Sequence, residues 1–104
     1  MAQFDVYPNP AGSMADAVPY VVDIQADCVA GLPTRMVVPL VRAEDGLKPV
    51  RHLNPRVDVK DEPLVLMIHM MAAVPANVLG PPVASLAHCR ADIIAALDFL
   101  FTGI

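Results

Sequence analysis

The chain has 104 residues, of which 56% are hydrophobic and only 17% charged, and its formal net charge is −4. This length predicts one domain, residues 1–104, with a core large enough to need no disulfide or metal support. The seven Lys and Arg residues are scattered, which argues against direct binding of DNA or RNA, since that requires a concentrated cationic face.

The low charged fraction also bears on assembly. Typical chains carry about 25% charged residues, and a chain this short has much surface relative to its volume. The surplus of apolar groups is most simply buried in an interface between two copies. We therefore expect a homodimer.

The cysteines and the apolar stretches indicate the cellular setting. Cys28 and Cys89 form no CxxC pair and no metal-ligand spacing, so we expect reduced thiols. We also expect no secretory signal, because the first residues show no basic segment followed by an apolar one. The longest apolar stretch, residues 64–74, is shorter than the roughly 20 residues that a membrane-spanning helix needs. The expected setting is the cytoplasm, with no membrane contact.

The first two-thirds of the chain is punctuated by proline and glycine, which favours short strands. Residues 3–7 and 22–27 alternate polar and apolar side chains and predict half-buried strands. Residues 8–17 form a loop between them. The β-rich stretch 34–41 follows, and Pro39 within it marks an edge or a bulge because proline cannot donate to a ladder.

The next segments continue this pattern. Residues 42–49 form a charged loop, residues 56–60 alternate as a strand, and residues 61–63 form a turn. The apolar run 64–72 fits a helix or a strand by periodicity alone. Its bulky aliphatic start and the preceding turn favour a buried central strand.

After Pro81 and Pro82 the spacing of apolar residues changes to three and four, as on one side of an amphipathic helix. Ser85 is the expected N-cap and Gly103 the expected C-terminal stop. The helical stripe consists of Leu86, Cys89, Ile93, Leu97 and Leu100. The predicted fold class is mainly β with a C-terminal α-helix: about five antiparallel strands in a small barrel or curled sheet.

Catalytic and cofactor motifs are not found in the sequence. His52, His69 and His88 lie far apart and fit no metal-ligand pattern, and Cys28 has no adjacent base. No glycine loop suited to phosphate occurs. We expect a protein that binds rather than catalyses, with no cofactor.

A series of recognisable stretches runs from residue 3 to residue 104. The stretches are residues 3–7 (QFDVY), 22–27 (VDIQAD), 35–40 (RMVVPL), 70–75 (MMAAVP) and 78–80 (VLG), the helix with His88, Asp92, Ile93 and Ile94, and the closing Gly103-Ile104. Taken in this order, they resemble the CcdB family of toxins, with differences mainly in the loops at 8–20 and 42–55.

The resemblance implies a homodimer with an SH3-like barrel, a five-stranded antiparallel sheet and a C-terminal helix. It implies a toxin that binds the A subunit of DNA gyrase and traps the cleaved-DNA complex. It also implies a cognate antitoxin that covers the toxin and, together with it, represses the shared operon. Contact with DNA is then only indirect, through the antitoxin or gyrase.

The resemblance also implies the site residues. Gyrase-binding residues carried over from it are Cys28, Val29, Asp98, Phe101, Thr102, Gly103 and Ile104. The chain departs from its relatives at three of these places: Thr102 replaces a tryptophan, Cys28-Val29 replaces Ile-Ile, and Asp98 replaces an amide. Because the smaller side chains offer less contact area than those they replace, we expect a weaker or altered gyrase contact.

Binding residues concentrate on loops, so the charged loop at 42–50 is the expected antitoxin site, with Arg42, Glu44, Asp45 and Lys48 as its residues. Two alternatives remain. A relative that has lost gyrase poisoning through Thr102 would still fold and bind an antitoxin. A ribonuclease toxin on a related barrel would have only His52 and Arg35 as material for a catalytic groove.

Overall fold

A computed structural model describes residues 2–14, 16–43 and 48–103. Within these residues the chain forms seven strands and one α-helix, joined by loops and short 3-10 turns. The elements in chain order are β1 (Asp5–Pro8), β2 (Tyr20–Asp23), β3 (Thr34–Arg42), β4 (Arg56–Val59), β5 (Glu62–Leu66), β6 (Ala72–Pro75), β7 (Ala84–Ser85) and α1 (Arg90–Thr102).

All the strand pairs are antiparallel and belong to one sheet. The strand order is β4-β5-β3-β2-β1-β7, and β6 pairs with β3 beside β5. The sheet curls into a nearly closed, barrel-like form. The predicted class, mainly β with a single C-terminal helix, is confirmed. The sheet also contains two short strands that were not predicted separately, β6 and the two-residue β7.

Strand β3 organises the sheet because it changes partner along its length. Residues 34–37 pair with β6, and residues 40–42 pair with β5. Pro39 lies between these two ladders, where its carbonyl accepts a hydrogen bond from the Met67 N–H at 3.0 Å. In a strand the backbone nitrogen and the carbonyl of one residue point to the same side. The Pro39 nitrogen, which has no proton to donate, therefore faces the gap between the two ladders, where no strand partner requires a donor. The proline thus sits in an interior strand without breaking it.

The apolar run 64–72 does not form one central strand, so that prediction is wrong. Strand β5 ends at Leu66, a 3-10 turn occupies Ile68–Met70, and β6 begins at Ala72. The side chain of Ile68 is fully buried within the turn. A tight turn that buries an apolar residue has the same apolar composition as a buried strand. The apolar run 64–72 therefore resembled one continuous strand in the sequence.

Alternating side chains of the sheet, together with side chains from α1 and the loops, form two apolar clusters. The larger cluster fills the barrel and includes Val6, Val22, Leu40, Leu66 and Ile93. A smaller cluster on the opposite face of the sheet is formed by Tyr7, Val21, Val37 and Leu79, with Val74 packed against it. The sheet is therefore covered on both faces over its central strands.

The helix begins later than its sequence pattern suggests. Ser85 pairs with Asp5 in the sheet, and its Oγ accepts a hydrogen bond from the Ala87 N–H at 3.2 Å, so it is not the N-cap of α1. A 3-10 turn at Ala87–Cys89 intervenes before α1. The apolar stripe packs on the barrel as expected. Within the described parts of the chain, no helix combines the length and the apolarity that a membrane crossing demands.

Candidate functional site

The C-terminal end of α1 is exposed. Phe101 leaves 69% of its surface open, and Thr102 and Gly103 are also exposed. Gly103 takes a left-handed conformation with φ of 75° and donates its N–H to the Phe99 carbonyl at 3.0 Å. This is the helix stop predicted for Gly103, and it turns the chain off the helix axis. Ile104 lies outside the described residues.

Thr102 and Asp98 are brought together by the helix. The Thr102 hydroxyl donates to the Asp98 main-chain carbonyl at 2.6 Å. This bond occupies the hydroxyl proton within the chain's own backbone, as Ser and Thr do in helices. What Thr102 presents to a partner is chiefly its methyl group. The Asp98 carboxylate is exposed one helical turn away.

Cys28 and Val29 lie on a separate 3-10 turn, Asp27–Val29, and both are exposed. Gln25 fixes the turn by donating its side-chain N–H to the Val29 carbonyl at 2.9 Å. Gln3 donates its backbone N–H to the Asp27 carboxylate at 2.8 Å and accepts a hydrogen bond from Arg90 at 3.1 Å. These bonds attach the turn to the N-terminal end of α1, whereas Phe101 lies about 17 Å along the helix axis from Arg90.

Of the four residues expected to bind an antitoxin, the structure describes two, Arg42 and Lys48. Arg42 donates through Nε to the Glu62 carboxylate at 2.7 Å, and its Nη1 donates to the Asp16 carbonyl. This residue therefore also joins β3 to β5 and to the loop before β2. Lys48 is exposed. The other two expected residues, Glu44 and Asp45, lie outside the described residues.

Arg35 is buried and is not available to a substrate. Its Nε donates to the Asp23 carboxylate at 2.7 Å, and its Nη2 lies 2.5 Å from the same oxygen. Both side chains are fully buried. Of the two residues considered for a ribonuclease groove, Arg35 therefore forms a buried ion pair and does not line a groove.

Two further groups have altered acidity. Burial raises the pKa of the Tyr7 hydroxyl, and the nearby carboxylates of Asp5 and Asp23 raise it further, against the opposing charge of Arg35. Burial also raises the pKa of the Cys89 thiol, with smaller contributions from the acidic side chains of Asp92 and Asp58. Both groups are therefore held in their neutral forms at pH 7.

A cleft of about 460 Å³, which the sequence patterns did not indicate, lies beside α1. Its lining residues are His52, Pro55, Arg56, Asp92, Ala95 and Phe99. The rings of His52 and Phe99 are 6.0 Å apart between centroids. One indication of this cleft was present in the sequence, because the spacing of positions 92, 95 and 99 places them on one side of a helix. Nothing local in the sequence brings residues 52–56 to that side.

A second exposed apolar region surrounds β6. Met70 is 56% exposed and Val78 is 47% exposed, on either side of the strand. Ala72 and Ala73 are also exposed, and β6 pairs only with β3 within the described sheet. Contiguous exposed apolar groups of this kind are typical of interaction surfaces.

The family model described as "CcdB protein" matches residues 3–103. The match spans nearly the whole chain, and the chain therefore belongs to the CcdB family of toxins from toxin–antitoxin systems.

Proposed function

We propose that this protein is a toxin that binds the A subunit of DNA gyrase and traps the cleaved-DNA complex. The observation that carries the proposal is the exposed C-terminal end of α1. Phe101 is 69% exposed at the last turn, and Gly103 directs the chain away from the helix. A large apolar side chain that is open to solvent supplies the kind of contact area that dominates binding interfaces.

The gyrase contact comprises Asp98, Phe101, Thr102, Gly103 and Ile104, with Cys28 and Val29 as a second patch. Binding rather than catalysis explains the effect on the cell, because the protein acts by holding the broken DNA in place. The proposed setting is the cytoplasm, where gyrase and its DNA are found.

The test is a DNA cleavage reaction. Purified protein is incubated with gyrase, supercoiled plasmid and ATP, and the complex is denatured and digested with protease. We expect linear DNA at micromolar protein. Failure to trap linear DNA, with correctly folded protein and active gyrase, contradicts the proposal.

A second candidate function is a CcdB-like protein that has lost gyrase poisoning but still binds an antitoxin. It is favoured by Thr102, whose hydroxyl is bonded to the Asp98 carbonyl and whose methyl offers little contact area. Expression without growth arrest, together with retained antitoxin binding, selects this candidate. Thr102→Trp then restores poisoning if the lost area is the cause.

We propose that the functional form is a homodimer that buries the apolar region around β6. The outer edge of β6 and the exposed Met70 and Val78 side chains supply the surface. Met70→Glu places a charge there and is expected to give a monomer in analytical ultracentrifugation. Val50→Glu, at an equally exposed apolar residue elsewhere, is the matched control.

We propose that a cognate antitoxin neutralises the toxin and that the pair represses their shared operon. The loop containing Arg42, Glu44, Asp45 and Lys48 is its proposed contact. DNA binding in that complex comes from the antitoxin, because the toxin's few cations are scattered. Co-expression with the product of an adjacent acidic-tailed reading frame, followed by co-purification, tests the pairing.

A further inference from the structure

The turn that carries Cys28 and Val29 has no apolar anchor. None of its residues, Asp27–Val29, is buried, and the Val29 side chain is 41% exposed. Apolar packing therefore does not fix its position, and a segment of this kind opens at a low cost in free energy unless polar bonds hold it. The hydrogen bonds made to the turn decide how it is presented to a partner.

The side-chain amide of Gln25 joins this turn to the sheet. Its Oε1 accepts the Met36 N–H of β3 at 2.9 Å, and its Nε2 donates to the Val29 carbonyl at 2.9 Å. The pairing of β2 with β3 ends at Asp23, so the Gln25 side chain supplies the acceptor for Met36 that a longer β2 would have supplied. One amide thus uses its acceptor on the sheet and its donor on the turn.

The base of this bridge is fixed in the interior of the protein. The Gln25 backbone N–H donates to the Asp23 carboxylate at 2.9 Å, and the same carboxylate pairs with Arg35. Asp23 and Arg35 are both fully buried. The Gln25 side chain therefore extends from a fixed position to an exposed turn.

A second bond holds the other end of the turn. The Gln3 backbone N–H donates to the Asp27 carboxylate at 2.8 Å. This bond lies one residue before Cys28, whereas the Gln25 bond lies at Val29. The two bonds leave Cys28 and Val29 exposed between attached ends.

We propose that Gln25 is a positioning residue that sets how Cys28 and Val29 meet their partner. The inference rests on the proposed function, in which these two residues form the second gyrase patch. The position requires an amide, because a glutamate of the same length keeps the acceptor for Met36 but has no proton to donate at pH 7. Its carboxylate would face the Val29 carbonyl, and the two acceptors would repel each other.

Hydrogen exchange of the ¹⁵N-labelled full-length protein, measured by NMR at pH 7, tests the bridge without gyrase. The amides of Val29, Ala30 and Leu32 are bonded within the turn region. In Gln25→Glu we expect them to exchange about 3- to 10-fold faster, as for the loss of one hydrogen bond. The Met36 amide should keep its exchange rate, because the carboxylate still accepts its proton.

Asn9→Asp is the matched control. The Asn9 side chain also bridges two parts of a loop, since its Oδ1 accepts the Ala11 N–H at 2.9 Å and its Nδ2 donates to the Val18 carbonyl at 2.8 Å. Asn9 follows the last residue of β1, whereas the turn is attached before its first residue. The substitution removes the same kind of donor elsewhere, so exchange at the turn and gyrase affinity should not change.

Titration calorimetry against the purified gyrase A subunit tests the positioning role. We expect Gln25→Glu to bind about 3- to 10-fold more weakly than the wild type. Because Gln25 acts through Val29, the same substitution should have an effect of at most about twofold in a Val29→Ala background. A residue that only stabilised the fold, or that contacted gyrase independently, would give the same loss in both backgrounds.

Four results overturn the proposal. They are unchanged exchange at the turn in Gln25→Glu, faster exchange throughout the core strands, undiminished gyrase affinity, and an equal loss of affinity with and without the Val29 side chain. All four leave the proposed function intact, because the wild-type protein still binds the gyrase A subunit. Failure of the wild-type protein to bind it rejects the proposed function, and the positioning role with it.

Discussion

Replacing Phe101 with alanine tests the proposed contact surface without harming the fold. The Phe101 side chain is 69% exposed at the end of α1, and the adjacent Leu97 and Leu100 hold the helix on the barrel. We therefore expect Phe101→Ala to fold normally and to lose affinity for the gyrase A subunit.

The magnitude follows from the exposed area. An aromatic side chain carries about 200 Å² of surface, of which roughly 140 Å² is open at Phe101. Covering that area at about 25 cal/mol per Å², less what alanine retains, contributes about 2–3 kcal/mol. Affinity should fall about 30- to 150-fold. Only the smaller, covered part of the ring supports the fold, so the free energy of unfolding should change by about 1 kcal/mol or less.

The assay is titration calorimetry of each variant against the purified gyrase A subunit, with urea unfolding measured in parallel. Val50→Ala is the control, since Val50 is an exposed aliphatic residue that is not among the proposed gyrase-contact residues. Unchanged affinity for Phe101→Ala refutes the reasoning. So does an equal loss for Val50→Ala, because the effect would then not depend on the helix end.

Three further predictions concern the fold. Asp23→Asn leaves the buried Arg35 guanidinium without its carboxylate, so the free energy of unfolding measured by urea titration should fall by about 3–5 kcal/mol. A loss below about 1 kcal/mol is inconsistent with a buried ion pair. Asp61 has a φ of 65° in the β4–β5 turn, a conformation that glycine adopts without strain. Asp61→Gly should therefore stabilise the folded protein by about 1 kcal/mol and raise the Tm measured by calorimetry by roughly 4–8 °C, whereas a lower Tm counts against this turn geometry. Burial raises the pKa of the Cys89 thiol, so its alkylation, followed by peptide mass spectrometry, should reach half its maximal rate at a higher pH in the folded protein than in protein unfolded by urea. An equal or lower midpoint in the folded protein contradicts the burial.

Local periodicity was sufficient for the elements whose signal lies within a few residues. The alternation at 56–60 predicted β4, and the spacing of Ile93, Leu97 and Leu100 predicted the buried side of α1. The left-handed stop at Gly103 followed from the rarity of that conformation in other residues. In these cases one physical preference acts along the chain, and nothing distant opposes it.

Tertiary contacts decided the rest. Asp23 and Arg35 are separated by 11 residues in the chain, and only the pairing of β2 with β3 buries them together. Ser85 has the side chain of an N-cap, but its pairing with β1 holds it in the sheet. The cleft joins Phe99 to His52, which is remote in sequence. No pattern within a single window contains that information.

The most direct measurement of the central claim is site-specific photocrosslinking from the helix end. The photoreactive residue p-benzoylphenylalanine is placed at Phe101 and, as a control, at Lys60, and each protein is irradiated with gyrase and DNA. The account predicts a covalent adduct between position 101 and the gyrase A subunit, and none from position 60. Adducts from position 101 only to a second copy of the toxin, or to no protein, would contradict it.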